Sequence, residues 1–259
     1  ADMVDSFVVG AKYAIAVGAA AATVGIIVGV VTLTGVGFKI SSIVTDAAGY
    51  LAALTGGLLP ASLFEIKDWT LFYTLVMTAV VCILLGCGVP TTANYIIMVT
   101  VAAPALGLLG VAPIVAHFFV FYYGVLADIT PPVALAAYAG ASMAGADPFK
   151  TGNTAFRLGM AKALVPFVFV YAPAMLIVTK GFTWFAFFEA VIGCLIGIVF
   201  LAAALTGYAR KTLGGWERLL VGAGGILLMA PGWKSGLLGV AIALPALWRQ
   251  ATAPAWRSA

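Results

Sequence analysis

Charged residues are scarce in this sequence. Only 8% of its 259 residues are Asp, Glu, Lys or Arg, whereas 64% are hydrophobic. A typical soluble domain carries about 25% charged residues, so this composition excludes a water-soluble fold. The apolar residues recur in long runs along the whole chain, which predicts an all-α, polytopic membrane protein in contact with the lipid bilayer.

Signals for enzymatic, metal or nucleic-acid chemistry are equally scarce. The G-x-x-x-x-G-K-[ST] motif is missing, which excludes an ATP-driven motor in this chain. The single histidine, His117, and three cysteines without a C-x-x-C pair exclude a conventional zinc site. The basic residues that give a net charge of +4 lie in gaps between apolar runs, as membrane-protein loop charges do. We therefore expect no enzymatic activity, no cofactor and no nucleic-acid partner.

The chain begins with Ala1 and has no signal-peptide pattern, and residues 1–5 are typical of a loop. We therefore expect it to be a fragment of a longer polypeptide. Further along, a polar loop is predicted at residues 146–162 and membrane spans at 163–178 and 185–205. Two shorter apolar runs, 219–229 and 237–247, predict either a helical hairpin or interfacial helices.

Two clusters of basic residues flank the predicted spans at 163–178 and 185–205. Both clusters therefore lie on one side of the membrane, which the positive-inside rule identifies as the cytoplasm. The residues concerned are Lys150, Arg157, Lys162, Arg210, Lys211 and Arg218.

An uncharged turn interrupts the apolar region at residues 70–106. Its arms, 70–85 and 95–106, are shorter than the ~20 residues of a full crossing. The intervening segment, GCGVPTTAN at 86–94, is rich in Gly, Pro and small hydroxyls. We predict a re-entrant helical hairpin over about 70–106 with its tip near the membrane midplane.

A second interruption lies within the apolar segment at 113–145. Proline has no N–H to bond the carbonyl four residues back, so Pro131 and Pro132 free the carbonyls of Ala127 and Asp128. In the hairpin, Pro90 likewise frees the carbonyl of Gly86, while Gly88 disfavours a continuous helix. Two breaks close in sequence are a common way to build an ion or substrate site in a transporter.

The side chains near both breaks are hard oxygen donors, the kind that suits Na⁺. Asp128 stands out because a carboxylate within a span costs roughly 2.5–3.5 kcal/mol and usually marks a functional site. It could coordinate Na⁺, carry a proton, or only hydrogen-bond the hairpin tip. The other donors are Thr91, Thr92, Asn94 and Thr130.

Several segments together resemble TRAP-type permeases (tripartite, binding-protein-dependent transporters), in particular their TAXI branch. The two central motifs are LGCGVPTTANYI at 85–96 and FYYGVLADITPPVAL at 121–135. AAPAL at 102–106 and AGADP at 144–148 accompany them, and the flanks IIVGVVTLTG at 26–35 and WERLL at 216–220 also match. The resemblance covers nearly the whole chain.

The resemblance implies an elevator-type carrier built from two inverted repeats, each with a re-entrant hairpin and a broken helix. Because one hairpin and one broken helix are found, this chain looks like the second repeat, residues 1–207, with a membrane-associated extension at 208–259. By the resemblance, one Na⁺ site would comprise backbone carbonyls near Gly86, Gly88 and Pro90, with others at the broken helix. Those others are Gly124, Ala127 and Thr130, next to Pro131.

The function implied is import of small organic acids across the cell inner membrane, driven by a Na⁺ or H⁺ gradient. The expected partners are an extracytoplasmic solute-binding protein and the N-terminal part or small membrane subunit of the permease. In the dicarboxylate-type branch of the family, an apolar residue usually occupies the position of Asp128. Because of this difference, the resemblance does not decide between Na⁺ and H⁺ as the coupling ion. The alternatives are a gradient-driven carrier of another family without a binding protein, and a non-transporting membrane scaffold.

Overall fold

The structure is a computed structural model that describes residues 2–56, 66–89, 91–177 and 181–252. Within these ranges the chain is helical, apart from turns and one isolated bridge between Tyr208 and Thr212. The all-α prediction is confirmed. The chain divides into two compact units, residues 1–127 and 128–259, which are described separately.

The first unit is a set of helices packed around α3 and α6. Helix α2 lies along α3, while α3 and α4 both pack against α6. Leu75, Met98 and Phe119 are fully buried at these contacts. The helices are α1 (Asp2–Thr34), α2 (Val36–Gly56), α3 (Ile66–Gly86), α4 (Thr91–Val101), α5 (Ala103–Leu108) and α6 (Pro113–Leu126).

A glycine bends the chain between α1 and α2. Gly35 has φ +66°, a left-handed conformation that glycine adopts without steric cost. The axis turns by 67° between Gly25–Thr34 and Val36–Gly56, which makes this pair a broken span or a re-entrant loop. This bend was not predicted from the sequence. The predicted loop at residues 1–5 is also wrong, since α1 begins at Asp2.

Four helical segments among the described residues are long and apolar enough to cross a membrane, and the bent pair would make a fifth. Two of them, Lys67–Gly86 and Thr91–Leu108, flank the predicted hairpin turn. The helices on both sides of the turn are thus longer than the predicted arms. Their length therefore does not favour a re-entrant hairpin over two full crossings. Helix α3 includes Lys67 and Asp68, which precede the predicted arm at 70–85; an acidic residue is favourable in a first turn. The re-entrant placement stays a prediction.

The second unit begins beyond the broken helix. Its helices are α7 (Leu135–Ala144), α8 (Pro148–Met160), α9 (Val165–Tyr171), α10 (Trp184–Thr206), α11 (Gly215–Met229) and α12 (Trp233–Ala251). The predicted span at 185–205 is confirmed by α10, which extends it by one residue at each end.

Two predictions in the second unit are wrong. The loop expected at 146–162 is mostly helix α8, which Asp147 caps by accepting a 2.8 Å hydrogen bond from the Lys150 N–H, with Pro148 in the first turn. The span expected at 163–178 has the wrong bounds: the candidate span is Pro148–Tyr171, because α9 ends at Tyr171, just before Pro173. Residues 178–180 lie outside the described part of the chain.

The tail is a helical hairpin packed on α10, and its position in the membrane or at its surface stays a prediction. Helix α11 packs against both α10 and α12. The approach is close at Gly224, where an added Cβ would lie 2.6 Å from the Gly239 carbonyl oxygen. At the other end, the buried Glu217 accepts a 2.6 Å hydrogen bond from the Gly214 N–H and forms a 3.1 Å ion pair with Arg249. Small residues and polar links of this kind hold helices together in lipid.

Candidate ion-binding site at the turn between α3 and α4

The turn after α3 carries the first group of predicted site residues. Gly86 is the last residue of α3 and is buried, whereas Gly88 is exposed and has φ +77°, which favours glycine. Thr91 and Thr92 begin α4 and are exposed. Pro90 lies outside the described residues. The turn therefore brings one predicted residue, Gly86, into the interior of the first unit.

Asn94 lies at the centre of the site. Its side chain is buried, with 2% exposure, and its Nδ2 donates a 2.9 Å hydrogen bond to the carbonyl oxygen of Gly124 on α6. Because a carbonyl can only accept, this contact assigns the nitrogen end of the amide. The other end, Oδ1, is buried and has no hydrogen-bond partner among the described residues. Asn94 thus presents an unused oxygen acceptor inside the first unit.

The backbone around Asn94 is tightly packed. A Cβ added to Gly86 would lie 2.8 Å from Asn94 Nδ2, 2.8 Å from Ala127 Cβ and 3.2 Å from the Gly124 oxygen. Ala127 itself is fully buried. Four of the predicted site residues, separated by up to about forty positions, therefore meet in one place. They are Gly86, Asn94, Gly124 and Ala127.

The sequence predicted that carbonyl groups at this place are unpaired, but not all of them are. The Gly86 carbonyl accepts a long hydrogen bond, 3.4 Å, from the Val89 N–H, so that expectation is wrong. The Gly124 carbonyl accepts the Asn94 amide. Each carbonyl oxygen has two lone pairs and can therefore accept a second partner.

Two buried threonines further along α3 were not predicted. Thr74 and Thr78 are 0% and 1% exposed, and their hydroxyls have no hydrogen-bond partner among the described residues. They precede Gly86 by twelve and eight positions, about 18 and 12 Å along the helix axis. Thr74 and Thr78 are four positions apart, which places both on one face of an apolar helix and was the sequence signal that could have identified them.

His117 is held by Tyr95, which supports the interpretation of a packed histidine. The Tyr95 hydroxyl lies 2.9 Å from His117 Nδ1, and the two rings meet edge-on. Phe121 packs edge-on against Tyr95 from the same helix as His117. The hydrogen bond and the ring contacts give His117 a structural role at the α4–α6 contact.

The remaining predicted residues follow the end of α6. Leu126 ends that helix, a single 3₁₀ turn covers Ala127–Ile129, and helix resumes at Leu135, so the predicted break is confirmed. Asp128, in this turn, is half-buried. Thr130 is buried, with 9% exposure.

Hydrogen bonds within the second unit order the residues that follow the break. The Thr130 carbonyl accepts a 3.0 Å hydrogen bond from the Ala134 N–H, and the Tyr138 hydroxyl donates a 2.8 Å bond to the Pro132 carbonyl. The peptide bond between Pro131 and Pro132 is cis. These bonds fix the chain between the 3₁₀ turn and α7.

The chemistry available at Asn94 is that of neutral oxygen ligands. The part of the chain that the structure describes holds no cluster of three or more His, Cys, Asp or Glu residues that could bind a metal ion. Amide, carbonyl and hydroxyl oxygens suit hard cations rather than transition metals. The site can therefore accept a small hard cation without a titratable ligand.

Several apolar helices long enough to cross a bilayer, together with a helix broken next to a buried polar site, define a multi-pass membrane protein. A family model described as "Tripartite ATP-independent periplasmic transporter, DctM component" matches residues 1–185. Since the match covers more than half of the sequence, the chain belongs to this family, whose members are transporter permease components and not enzymes. Searches of curated proteins and of solved structures gave no match.

Proposed function

We propose that the chain is the substrate- and ion-binding part of a permease that imports small organic acids across the cell inner membrane, driven by a sodium gradient. The observation that carries this proposal is the buried Asn94 Oδ1, which has no hydrogen-bond partner among the described residues, on a side chain packed against the Gly86 and Gly124 backbone. A proton gradient is the alternative driving force, with Asp128 as the carrier.

Sodium suits the site for an energetic reason. A buried acceptor without a partner costs about 1–3 kcal/mol, and a bound cation removes that cost. The four residues that meet at the site offer neutral oxygens and no group that titrates near neutral pH. Proton coupling would require Asp128, the residue that follows Ala127 in the chain.

Family membership implies a small DctQ subunit and a substrate-binding protein as partners. We propose that an extracytoplasmic solute-binding protein delivers the substrate and that the chain supplies the second of two inverted repeats of an elevator-type carrier. The motifs at 85–96 and 121–135 favour the TAXI branch. Transport would then also require the N-terminal part of the permease.

The family match excludes one alternative, a carrier of another family. The other alternative, a non-transporting scaffold, makes a separable prediction. In a scaffold the breaks serve packing alone, so Thr130→Val and Asp128→Asn would change stability without changing ion binding. In a permease at least one of these variants changes ion binding or coupling.

The test is substrate uptake into proteoliposomes that contain the intact permease, supplied with its binding protein. A Na⁺ gradient and a proton gradient are imposed separately, with and without Asp128→Asn. We expect uptake under the Na⁺ gradient that persists in Asp128→Asn, since the neutral oxygens would hold the ion.

Each other outcome has a definite meaning. Uptake driven by protons and abolished by Asp128→Asn would assign proton coupling to Asp128 and reject the sodium proposal. The absence of gradient-dependent uptake under both conditions would reject the transporter proposal.

A further inference from the structure

A cavity of about 320 Å³ lies in the second unit, between the region after α9, the first turns of α10, and the turn that joins α11 to α12. Tyr171, Ala190, Met229 and Trp233 are among the residues that line it. Much of the cavity lies beyond residue 185, where the family match ends. The proposed transport site does not use it.

Glu189 is the one charged residue among the described residues that line this cavity. It lies in the second turn of α10, the most apolar of the candidate spans. Its Oε1 is buried and has no hydrogen-bond partner among the described residues. A cation or a hydrogen-bond donor beside this oxygen would stabilise the carboxylate in its charged form. The cavity thus favours a ligand with a positively charged group that carries N–H donors.

The surroundings place this end of α10 at a membrane interface. Trp184 and Phe188 stack with their ring centroids 6.0 Å apart, and both rings are exposed, as is Trp233 at the start of α12. Exposed aromatic side chains of this kind mark the headgroup level of a bilayer. The basic residues Arg210, Lys211 and Arg218 follow the other end of α10, so the positive-inside rule puts the Trp184 end in the outer leaflet.

The start of helix α12 is a second feature of the cavity wall. Gly232 and Trp233, at the N-terminus of this 19-residue helix, line the cavity, and the N–H groups at a helix start attract anions. Lys234 follows, with its Nζ 5.9 Å from the centre of the Trp233 ring. A ligand that carries both an ammonium group and a phosphate matches Glu189 and the start of α12.

We infer that this cavity binds the headgroup of an aminophospholipid, phosphatidylethanolamine in chemical class. The ammonium donates to Glu189 Oε1 and the phosphate lies at the α12 N-terminus. The acyl chains continue along the lipid-facing side of α10, where Ile192, Leu195 and Val199 are exposed. A choline headgroup fits less well because its quaternary nitrogen has no N–H.

The test uses native mass spectrometry of the intact permease, released from micelles that contain equal amounts of phosphatidylethanolamine, phosphatidylcholine and phosphatidylglycerol. We expect phosphatidylethanolamine to be retained about tenfold or more over the other two, the scale of one charge-assisted hydrogen bond. Glu189→Gln should abolish this preference.

The matched control is Asp68→Asn, which removes an exposed carboxylate at the start of α3 and should leave the preference unchanged. Gly236→Leu gives a second variant that keeps Glu189. An added Cβ at Gly236 meets nothing within 4 Å, so the leucine extends into open space beside the cavity. It should lower phosphatidylethanolamine retention, whereas Gly49→Leu, also in open space, should not. Thermal midpoints confirm that each variant is folded.

Four results would overturn the inference. They are equal retention of phosphatidylethanolamine and phosphatidylcholine, unchanged retention in folded Glu189→Gln, unchanged retention in folded Gly236→Leu, and complete displacement of the lipid by equimolar soluble phosphoethanolamine. A further arm concerns Lys180, which precedes Gly181 in the sequence and lies outside the described residues. If Glu189→Gln no longer changes phosphatidylethanolamine retention once Lys180→Gln is also present, the partner of the carboxylate is that lysine and not a lipid.

Discussion

Asn94 combines two functions in one side chain, since its amide nitrogen ties α4 to α6 and its oxygen has no partner among the described residues. An apolar residue of similar size would fill the same space and leave no unpaired acceptor. The hydrogen bond to Gly124 explains the nitrogen end of the amide, whereas the oxygen end has no partner among the described residues. In the proposed function the partner of the oxygen is the coupling ion.

Gly86 tests whether the tight packing around Asn94 matters for ion binding. In Gly86→Ala the added Cβ would lie 2.8 Å from Asn94 Nδ2 and from Ala127 Cβ, so the amide must move. Overpacking of this kind costs about 1–3 kcal/mol, and we expect Na⁺ affinity to fall about tenfold. The measurement is the rise in the thermal unfolding midpoint on replacing choline chloride by NaCl, which depends on ion affinity.

Gly107→Ala is the matched control for this change, because nothing lies within 4 Å of a Cβ at that position. It should retain the full Na⁺-dependent rise. A Gly86→Ala protein with the same Na⁺ response as the wild type would show that the Asn94 cluster does not bind the ion.

At this scale the sequence predicts residue types better than residue contacts. Proline chemistry, the search for oxygen donors and the resemblance together identified Gly86, Asn94, Gly124 and Ala127, which do meet. Neither could predict that the Asn94 amide bonds the Gly124 carbonyl, because that contact depends on how α4 packs against α6. Thr91 and Thr92 resemble ligands in sequence but are exposed at the start of α4.

At the scale of the helix, the C-terminal hairpin depends on small residues. Helices α11 and α12 approach so closely that Gly224 and Gly239 face each other with no room for a side chain. In lipid there is no hydrophobic drive between helices, so this close contact supplies much of their association.

The pair Gly224→Ala and Gly222→Ala tests this contact within one helix. At Gly224 a Cβ would lie 2.6 Å from the Gly239 oxygen, whereas at Gly222 the nearest atom is Ala204 Cβ at 3.4 Å. We expect Gly224→Ala to destabilise the protein by about 1–3 kcal/mol. Gly222→Ala should be neutral or stabilising by up to about 1 kcal/mol, since alanine favours helix. Thermal unfolding in detergent measures both, and equal effects would contradict the packing described.

Helix positions were predictable where apolar runs were uninterrupted, as for α10. They were not predictable where polar residues continue a helix. Helix α8 looked like a loop because of its Gly, Asn and Thr content, although Asp147 and Pro148 are a recognisable helix start. The bend at Gly35 has no signal stronger than one glycine between two apolar runs.

At the scale of the molecule, composition alone was sufficient to predict a polytopic membrane protein. The division into two compact units at residues 127 and 128 falls inside the motif FYYGVLADITPPVAL, at the point where helix α6 ends. The boundary predicted at 207/208 stays a prediction, since it rests on hydropathy and resemblance. The family match covers the predicted hairpin and broken helix, and it ends just inside α10.

The central claim is that the intact permease binds sodium through Asn94, and equilibrium binding of radioactive ²²Na⁺ to the purified protein tests it without knowledge of the substrate. The variants are Asn94→Leu and, as a matched control, Asn153→Leu at an exposed asparagine of α8. We predict saturable binding in the wild type and in Asn153→Leu, with affinity at least about tenfold lower in Asn94→Leu, the scale of one lost ion contact. No saturable binding in the wild type, or equal affinity in a folded Asn94→Leu protein, would contradict the account.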